Sequence, residues 1–287
     1  MTEEKLTSKD YVSSLKPIWC PGCGDYGVLN AMALALEELG RPTENIAVIS
    51  GIGCSSRLPG YLNIYGFNAI HGRAIPIACG LKIARPDLEV IAVSGDGDCF
   101  SIGGGHLPHV VRRNVDIACF VMDNQIYGLT KGQASPTTPR GDITSTSRYG
   151  NLDRPIWPLR FMLGYGTTFV AQATPLDIKH LAKMMVAAIL HPGFAFLNIL
   201  SPCVTYRGKE MYQFIRERMY YVDETPDYDP ADDQKAWRLI SNKDRFSLGI
   251  IYQKLSKTYR EKLDEVEERA RGGKISSLAD ERKLFLP

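Results

Sequence analysis

The chain has 287 residues, of which 44% are hydrophobic and 23% are charged, and its formal net charge at pH 7 is +2. This is the composition of an ordinary globular protein, and so small a net charge gives no reason to expect a nucleic acid or an anionic membrane as a partner. No apolar run approaches the roughly 20 residues that cross a bilayer, and the opening residues MTEEK lack the apolar core of a signal peptide. We therefore predict a cytoplasmic protein whose cysteines stay reduced.

Short apolar runs alternate with segments of helical period through the first two thirds of the chain. Apolar runs flanked by Gly and Asp are typical of buried parallel strands. The predicted strands cover residues 46–49, 90–93, 117–122, 167–171 and 194–200. The predicted helices cover residues 28–39, 75–84, 159–163 and 175–190. This alternation predicts an α/β fold with a mostly parallel sheet flanked by helices, in a domain that spans residues 1–210.

The pattern changes after residue 204. Residues 223–233 are rich in Asp and Pro and predict an extended linker. Apolar side chains then recur at a helical spacing and predict an amphipathic helix that ends at residues 271–273. These side chains are Leu248, Ile251, Tyr252, Leu255, Tyr259, Leu263 and Val266. We predict that residues 211–287 form a helical C-terminal extension, and that its apolar end, residues 284–287, docks on this chain or on another.

Two of the predicted strands end in short polar loops, SGDGD at residues 94–98 and DN at residues 123–124. Open parallel sheets bind ligands at the carboxyl ends of their strands, so Asp96 and Asn124 should lie close together. Mg2+ needs few protein oxygens when a bound diphosphate supplies the others, and Gly95 and Gly97 would let the backbone approach such a group. The structural alternative is that GDGD is a turn and that DN caps a helix.

Four of the seven cysteines lie in Gly- or Pro-containing turns near the ends of predicted elements. They are Cys20, Cys23, Cys54 and Cys203. Four soft thiolates bind zinc or an iron–sulfur cluster, and one CxxC pair with two dispersed single cysteines favours a cluster over the two tight pairs of most zinc sites. The alternative is that only the CxxC binds a group, or that it is a redox pair. The other three cysteines, Cys79, Cys99 and Cys119, have apolar or small neighbours and are predicted to be packed thiols.

The GDG motif followed by Asn resembles the metal-binding motif of thiamine-diphosphate enzymes. Further motifs occur in the order found in the β subunit of 2-oxoacid:ferredoxin oxidoreductases, which the chain resembles over about residues 10–210. These motifs are WCPGCG at 19–24, GIGCSSR at 51–57, HGRAIP at 71–76, SGDGD at 94–98 and DNQIYGLTKGQASPT at 123–137.

The resemblance implies a role for each matching residue. Mg2+ would be held by Asp96, Asn124 and the carbonyl of Ile126, and a 4Fe–4S cluster by Cys20, Cys23, Cys54 and Cys203. The thiamine head would meet Ile52, Gly53, Cys54, Ser55, His71 and Gly72. The diphosphate and metal would be surrounded by Gly95, Gly97, Asp98, Gly128, Leu129 and Thr130. The substrate would face Arg57, Leu129 and Lys131.

The same resemblance implies the reaction, an oxidative decarboxylation of a 2-oxoacid that yields acyl-coenzyme A and CO2 and passes electrons through the cluster to ferredoxin. The glutamate that activates the thiamine ring should come from an α subunit that carries the pyrimidine-binding domain, in an (αβ)2 assembly. Two candidate cations favour the dicarboxylate 2-oxoglutarate over pyruvate. The alternatives are a pyruvate-specific β subunit, a non-redox thiamine-diphosphate decarboxylase or transferase subunit, and a zinc-stapled interaction module.

Overall fold

A computed structural model describes residues 6–242 and 244–272 of the chain. Eight strands form one sheet: β1 (Ile46–Ser50), β2 (Tyr65–Asn68), β3 (Glu89–Gly95), β4 (Ala118–Asp123), β5 (Phe169–Ala173), β6 (Ala195–Leu200), β7 (Met219–Tyr221) and β8 (Phe246–Gln253). Their order across the sheet is β2-β1-β3-β4-β6-β5-β8-β7, and every pair is parallel except β5 with β8. The predicted α/β class with a mostly parallel sheet is confirmed.

Helices cover both faces of this sheet. They are α1 (Asp25–Leu39), α2 (Ala74–Ala84), α3 (Asp96–Phe100), α4 (Leu107–Arg113), α5 (Pro158–Gly164), α6 (Ile178–Leu190), α7 (Glu210–Arg218), α8 (Asp233–Leu239) and α9 (Tyr259–Gly272). Apolar side chains of α1 and α6 pack on one face, and those of α2, α4, α5 and α8 pack on the other. The strands β1, β4, β5 and β6 are buried along their whole length, as their continuous apolar sequences require.

The prediction of a continuous helix through residues 248–266 is wrong in its first half, where the chain forms strand β8. The pairing of β5 with β8 shifts register, so that Val170 faces Tyr252 and Ala171 faces Ile250. Ile251 is therefore an extra residue, a β-bulge. The bulge brings Leu248 and Ile251, three residues apart, into buried positions, and this spacing imitates a helix. The later part of the prediction is confirmed by α9.

The predicted extended linker at residues 223–233 is also wrong, because this segment is compact and packed. It holds a single 3-10 turn, Val222–Glu224, followed by bends. The Tyr228 hydroxyl donates to the Ile250 carbonyl at 2.6 Å, and the Gln253 amide donates to the Pro230 carbonyl at 2.8 Å. The sheet therefore continues past residue 205 through β7 and β8, while the domain boundary at residue 210 stays a prediction.

Several short elements have no counterpart among the predicted ones: β2, α3, α4, α7, β7 and α8. Strand β2 forms the outer edge of the sheet, and all four of its residues are exposed. In the described part of the chain, no helix has the length and apolar character that a membrane span requires. The predicted docking of residues 284–287 lies outside the described residues.

Candidate functional site

A cavity of about 410 Å³ opens at the carboxyl ends of β1, β3 and β4, where the sequence predicted a ligand site. Most of the predicted cofactor residues line it: Ile52, Gly53, Cys54, Ser55, His71, Gly95, Asp96, Gly97, Asp98, Asn124, Ile126, Gly128, Leu129 and Thr130. Parallel pairing of β3 with β4 sets the two polar loops side by side, with Gly95 opposite Met122 at the last paired position.

The two residues predicted to bind the metal through their side chains, Asp96 and Asn124, both line this cavity. Asp96 is buried at the start of α3, and its Oδ1 accepts a hydrogen bond from the Asn124 amide at 3.4 Å. The Asn124 Oδ1 accepts from the Ile126 amide at 3.0 Å, which folds residues 124–126 into a tight turn. Burial raises the pKa of Asp96 above its ordinary value. A positive charge in the cavity would compensate the desolvated carboxylate.

Asp98 lines the cavity, and its carboxylate accepts hydrogen bonds from the loops that form the cavity wall. Its Oδ1 accepts from the backbone amides of Ile52 at 3.1 Å and Gly72 at 2.7 Å, and it lies 2.7 Å from His71 Nδ1. Its Oδ2 accepts from the Ser94 hydroxyl at 2.6 Å. Asp98 therefore fixes the loops that carry the other predicted residues, a role that no feature of the sequence indicates.

Tyr127 is a cavity residue that was not predicted. Its hydroxyl donates to the Gly97 carbonyl at 2.9 Å, and its ring lies against the Gly97 backbone. A β-carbon on residue 97 would lie only 2.3 Å from Tyr127 Cε1, so this position requires glycine. Tyr127 also pairs with Gln133 in an isolated antiparallel bridge, which closes the loop carrying Leu129 and Thr130.

Thr137 links Asp96 to a second buried carboxylate, Asp123. The Thr137 hydroxyl lies 2.6 Å from Asp96 Oδ2 and 3.0 Å from Asp123 Oδ1, and all three residues are buried. A hydroxyl has one proton, and the shorter distance assigns it to Asp96. Burial, together with the nearby Asp96 charge, raises the pKa of Asp123 to about 7. Thr137 stands in the SPTT segment, whose role the sequence did not reveal.

The four predicted cluster cysteines converge on one side of this cavity. The Gly24 amide donates to the Pro202 carbonyl at 3.0 Å, which docks the CxxC loop beside Cys203. The Trp19 indole donates to the Cys54 carbonyl at 2.8 Å and ties the same loop to Cys54. A β-carbon on Gly128 would lie 3.6 Å from Cys54 Sγ and 3.7 Å from Cys203 Sγ, so both sulfurs border the cavity loop.

The thiols of Cys23, Cys54 and Cys203 are held in surroundings that disfavour their ionised form. Burial raises the pKa of Cys54 to about 11, and it raises the pKa of Cys23 and Cys203 as well. Asp25 lies close by, buried at the start of α1, and accepts from the Ser201 hydroxyl at 2.8 Å. Burial raises the pKa of Asp25 to about 6. The remaining cysteines behave as predicted for packed thiols, with Cys99 and Cys119 fully buried in the core.

Three of the residues predicted to contact thiamine diphosphate or the substrate do not line the cavity. Arg57 lies on the cysteine side, where its charge opposes the burial-driven rise of the Cys54 pKa. Lys131 is exposed at the tip of the loop, with a positive φ of 78°, just beyond the cavity residue Thr130. The Gly72 amide donates to Asp98 Oδ1, but Gly72 itself does not line the cavity. The substrate-facing roles of Arg57, Leu129 and Lys131 stay predictions.

Two family models match most of the chain. The model described as "Thiamine pyrophosphate enzyme, C-terminal TPP binding domain" matches residues 51–199. A second model, for the C-terminal part of the "Pyruvate ferredoxin oxidoreductase beta subunit", matches residues 203–268. The first covers the cavity and Cys54, and the second begins at Cys203.

Characterised relatives agree with these models. The chain is 40% identical to the β subunit of 2-oxoacid:ferredoxin oxidoreductase 2 of Aeropyrum pernix, over 96% of this chain and 92% of that protein. It is 50% identical to the 2-oxoglutarate oxidoreductase subunit KorB of Mycobacterium tuberculosis, over 70% of this chain and 54% of that protein.

A solved structure extends the similarity to three dimensions. The 2-oxoglutarate:ferredoxin oxidoreductase of Magnetococcus marinus, determined with 2-oxoglutarate, coenzyme A and succinyl-CoA bound, matches with a TM-score of 0.93. The match has 40% identity and covers 100% of this chain and 98% of that one. With the cavity and converging cysteines described above, these similarities confirm the predicted family: the chain belongs to the β subunits of the 2-oxoacid:ferredoxin oxidoreductases, and it carries their thiamine-diphosphate-binding domain.

Proposed function

We propose that this chain, together with an α subunit, catalyses the coenzyme A-dependent oxidative decarboxylation of 2-oxoglutarate and passes the electrons through a 4Fe–4S cluster to ferredoxin. The observation that carries the proposal is the placement of four cysteines beside a diphosphate-type cavity, with Cys54 belonging to both. When bound, thiamine diphosphate supplies an electron sink for loss of CO2 and the cluster accepts the resulting electrons.

The cavity residues fit Mg2+ and a diphosphate. Asp96 is a buried carboxylate whose Oδ1 accepts from the Asn124 backbone amide, and both residues line the cavity. Carboxylate and amide oxygens are ligands that Mg2+ favours. The Ser55 hydroxyl is buried without a hydrogen-bond partner, and it lies 3.1 Å from where a β-carbon on Gly95 would stand. A buried hydroxyl without a partner, next to a glycine that has no side chain, suits a hydrogen bond to a phosphate oxygen. Beside the diphosphate, Asp96, Asn124 and the Ile126 carbonyl would hold the metal.

The cysteine set fits a polynuclear cluster better than a single zinc ion. In residues 6–242 and 244–272, no group of three or more His, Cys, Asp or Glu side chains is close enough to hold one metal ion. The sulfurs of Cys54 and Cys203 nonetheless lie near the same residue, Gly128, and hydrogen bonds tie the CxxC loop to the segments that carry both cysteines. The raised pKa values of Cys23, Cys54 and Cys203 mean that thiolates form at these positions only with a strong compensating positive charge, such as that of bound iron.

An α subunit is required because the described cavity holds no carboxylate free to activate the thiamine ring. The carboxylates in its wall are Asp96 and Asp98, and both are committed to the hydrogen bonds described above. Apolar side chains surround the mouth, with Ile52 44% and Leu129 43% exposed. A partner that brings the missing glutamate would also cover this apolar rim. The (αβ)2 stoichiometry, the ferredoxin partner and the cytoplasmic location are parts of this proposal.

The preference for 2-oxoglutarate is supported by the relatives rather than by the two candidate cations. Arg57 and Lys131 do not line the cavity, so they give no direct support for a dicarboxylate. The Magnetococcus marinus structure holds 2-oxoglutarate, and the KorB relatives are named for that acid. The test is an assay of the reconstituted αβ complex with both acids. A clear preference for pyruvate would overturn this part of the proposal.

Purification without air, followed by iron, sulfide and thiamine analysis, tests the cofactors. We expect about four iron and four sulfide per chain. Cys203→Ser should lose most of the iron and keep thiamine diphosphate, whereas Asp96→Asn should do the reverse. Cys79→Ser is the control, because Cys79 lies outside the set of four. A colourless wild-type complex without iron would point instead to a non-redox thiamine enzyme.

A further inference from the structure

A second cavity, of about 350 Å³, has Asp123 and Thr137 in its wall. It occupies the face of the sheet that carries α5 and α8, at the carboxyl ends of β4, β5 and β6. Its wall combines the polar segment after Thr137 with the C-terminal part of the chain, and its apolar surface comes from Ile156, Leu200 and Phe246 among others. A cavity of this size at this edge of an α/β sheet has the dimensions of a small-molecule site.

The floor of this second cavity is polar where a buried sheet would be expected to be apolar. Gln172 and Asn198 face each other across β5 and β6, and Asn198 is only 1% exposed. The Asn198 amide group donates to Gln172 Oε1 at 3.1 Å, and the Gln172 amide group donates to the Ser247 carbonyl at 3.1 Å. The Asn198 Oδ1 is buried with no partner. A buried acceptor left without a donor is unfavourable unless a ligand supplies one.

Three arginines line the same cavity: Arg140, Arg160 and Arg245. Arg140 and Arg245 are exposed and stand at the mouth, whereas Asn198 is at the floor. Arg160 donates to the Ile240 and Ser241 carbonyls, and Arg245 stacks on the Tyr220 ring at 4.2 Å. Among the ion pairs within the described residues, none involves these arginines. The mouth is therefore positively charged, the walls carry apolar side chains, and the floor is polar.

We propose that this cavity is a second ligand site, which binds a small organic anion with an apolar body and a hydrogen-bond donor at its inner end. The anionic group sits at Arg140 and Arg245, the body lies against Ile156 and Leu200, and the donor satisfies the Asn198 Oδ1. Free organic acids have this chemistry. So does coenzyme A, whose amide-containing arm ends in phosphates.

The test uses the αβ complex with adipamate, which has a carboxylate at one end of a four-methylene chain and an amide at the other. Hexanoate lacks the donor and hexanamide lacks the anion. Isothermal titration calorimetry should show that adipamate binds about three- to tenfold more tightly than hexanoate, because one satisfied hydrogen bond contributes about 0.5–1.5 kcal/mol. Adipamate should also bind more tightly than hexanamide, which has no charge to pair with Arg140 and Arg245. Binding should also weaken with added salt, since charges at an exposed mouth are screened.

Variants locate the site. Ile156→Trp fills the cavity and should abolish adipamate binding, whereas Ile143→Trp, an exposed position in the same segment outside the cavity, should not. Arg140→Gln should weaken binding of adipamate and hexanoate but not of hexanamide, with Arg148→Gln as the matched control. Equal binding to Ile156→Trp and wild type, or no binding of any probe at millimolar concentration, would overturn the proposal.

Competition distinguishes the two sources of ligand. If coenzyme A displaces adipamate, and Ile156→Trp weakens coenzyme A binding, the natural occupant is the coenzyme A arm. If coenzyme A leaves adipamate in place, the occupant is a free organic acid. Both outcomes support a ligand site, and neither depends on turnover, so a failure here is distinguishable from a failure of the proposed function.

Discussion

Thr137→Val should weaken metal binding in the first cavity without unfolding the protein. Valine keeps the shape of threonine but removes the hydroxyl, which lies 2.6 Å from Asp96 Oδ2. The hydrogen bond to Oδ2 holds the Asp96 carboxylate so that its Oδ1 faces the Asn124 backbone amide. Without the Thr137 hydroxyl, the carboxylate is free to rotate away from this orientation. A hydrogen bond to a charged group contributes about 1.5–3 kcal/mol, and at 1.4 kcal/mol per factor of ten the affinity should fall about tenfold to hundredfold.

The assay is an electron paramagnetic resonance titration with Mn2+ in place of Mg2+, with thiamine diphosphate present. Thr137→Ser keeps the hydroxyl and should stay within about threefold of wild type, because only a methyl group is lost. Thr138→Val is the local control, since the Thr138 hydroxyl donates to the Gln125 carbonyl rather than to a carboxylate. Equal Mn2+ affinity in Thr137→Val and wild type would refute the idea that Thr137 aims Asp96.

Two further substitutions test the packing of the cavity and of the C-terminal part. Gly97→Ala should lower thiamine diphosphate affinity at least tenfold by pushing the Tyr127 ring away, at a strain of about 1–3 kcal/mol. Gly105→Ala is the control, because a β-carbon there meets nothing within 4 Å, and it should leave the thiamine diphosphate affinity unchanged. Equal losses of affinity in Gly97→Ala and Gly105→Ala would contradict the steric argument. Tyr221→Phe removes a 2.6 Å bond to Asp177 Oδ2 and should lower the free energy of unfolding by about 1 kcal/mol near neutral pH. Burial alone would raise the pKa of Asp177, but hydrogen bonds that include the one from Tyr221 lower it below its ordinary value of 3.8. The stabilisation from the Tyr221 bond is therefore present above pH 3.8 and is lost as the pH falls through the lowered pKa. Urea melts should therefore show the difference at about pH 7 and little of it near about pH 3, and a constant difference would contradict the assignment.

The placement of Asp96 and Asn124 in one cavity could be predicted because each follows a strand directly along the chain. Asp96 and Asn124 each follow an apolar strand directly, and parallel pairing brings such strand ends together whatever the rest of the chain does. Thr137 could not be predicted in the same way. It reaches Asp96 across 41 residues and Asp123 across 14, from a segment without regular structure, so no periodicity marks it.

Asp98 shows a different limit of prediction. Its motif placed it correctly at the cavity, but its role depends on which donors surround it. Those donors come from Ile52, Gly72 and Ser94, on three separate segments. Asp98 therefore acts on the cavity through the loops it fixes, as well as through any contact with a ligand.

The C-terminal part was mispredicted for a physical reason as well. A hydrophobic period distinguishes helix from strand only when the strand is regular, and the bulge at Ile251 shifts the alternation of β8. The antiparallel partner β5 supplies the pairing that decides the outcome, and that partner lies about 80 residues earlier in the chain. Tertiary pairing therefore overrides the local pattern here.

The loop that follows Asn124 explains why the cavity and the cysteines form one functional unit. Gly128 lines the cavity, and the sulfurs of Cys54 and Cys203 lie against its backbone. A β-carbon at this position would be in van der Waals contact with both sulfurs. The same short loop therefore separates the proposed thiamine site from the proposed cluster by little more than one backbone. This arrangement suits transfer of single electrons, and it requires that the two cofactors bind to the same chain.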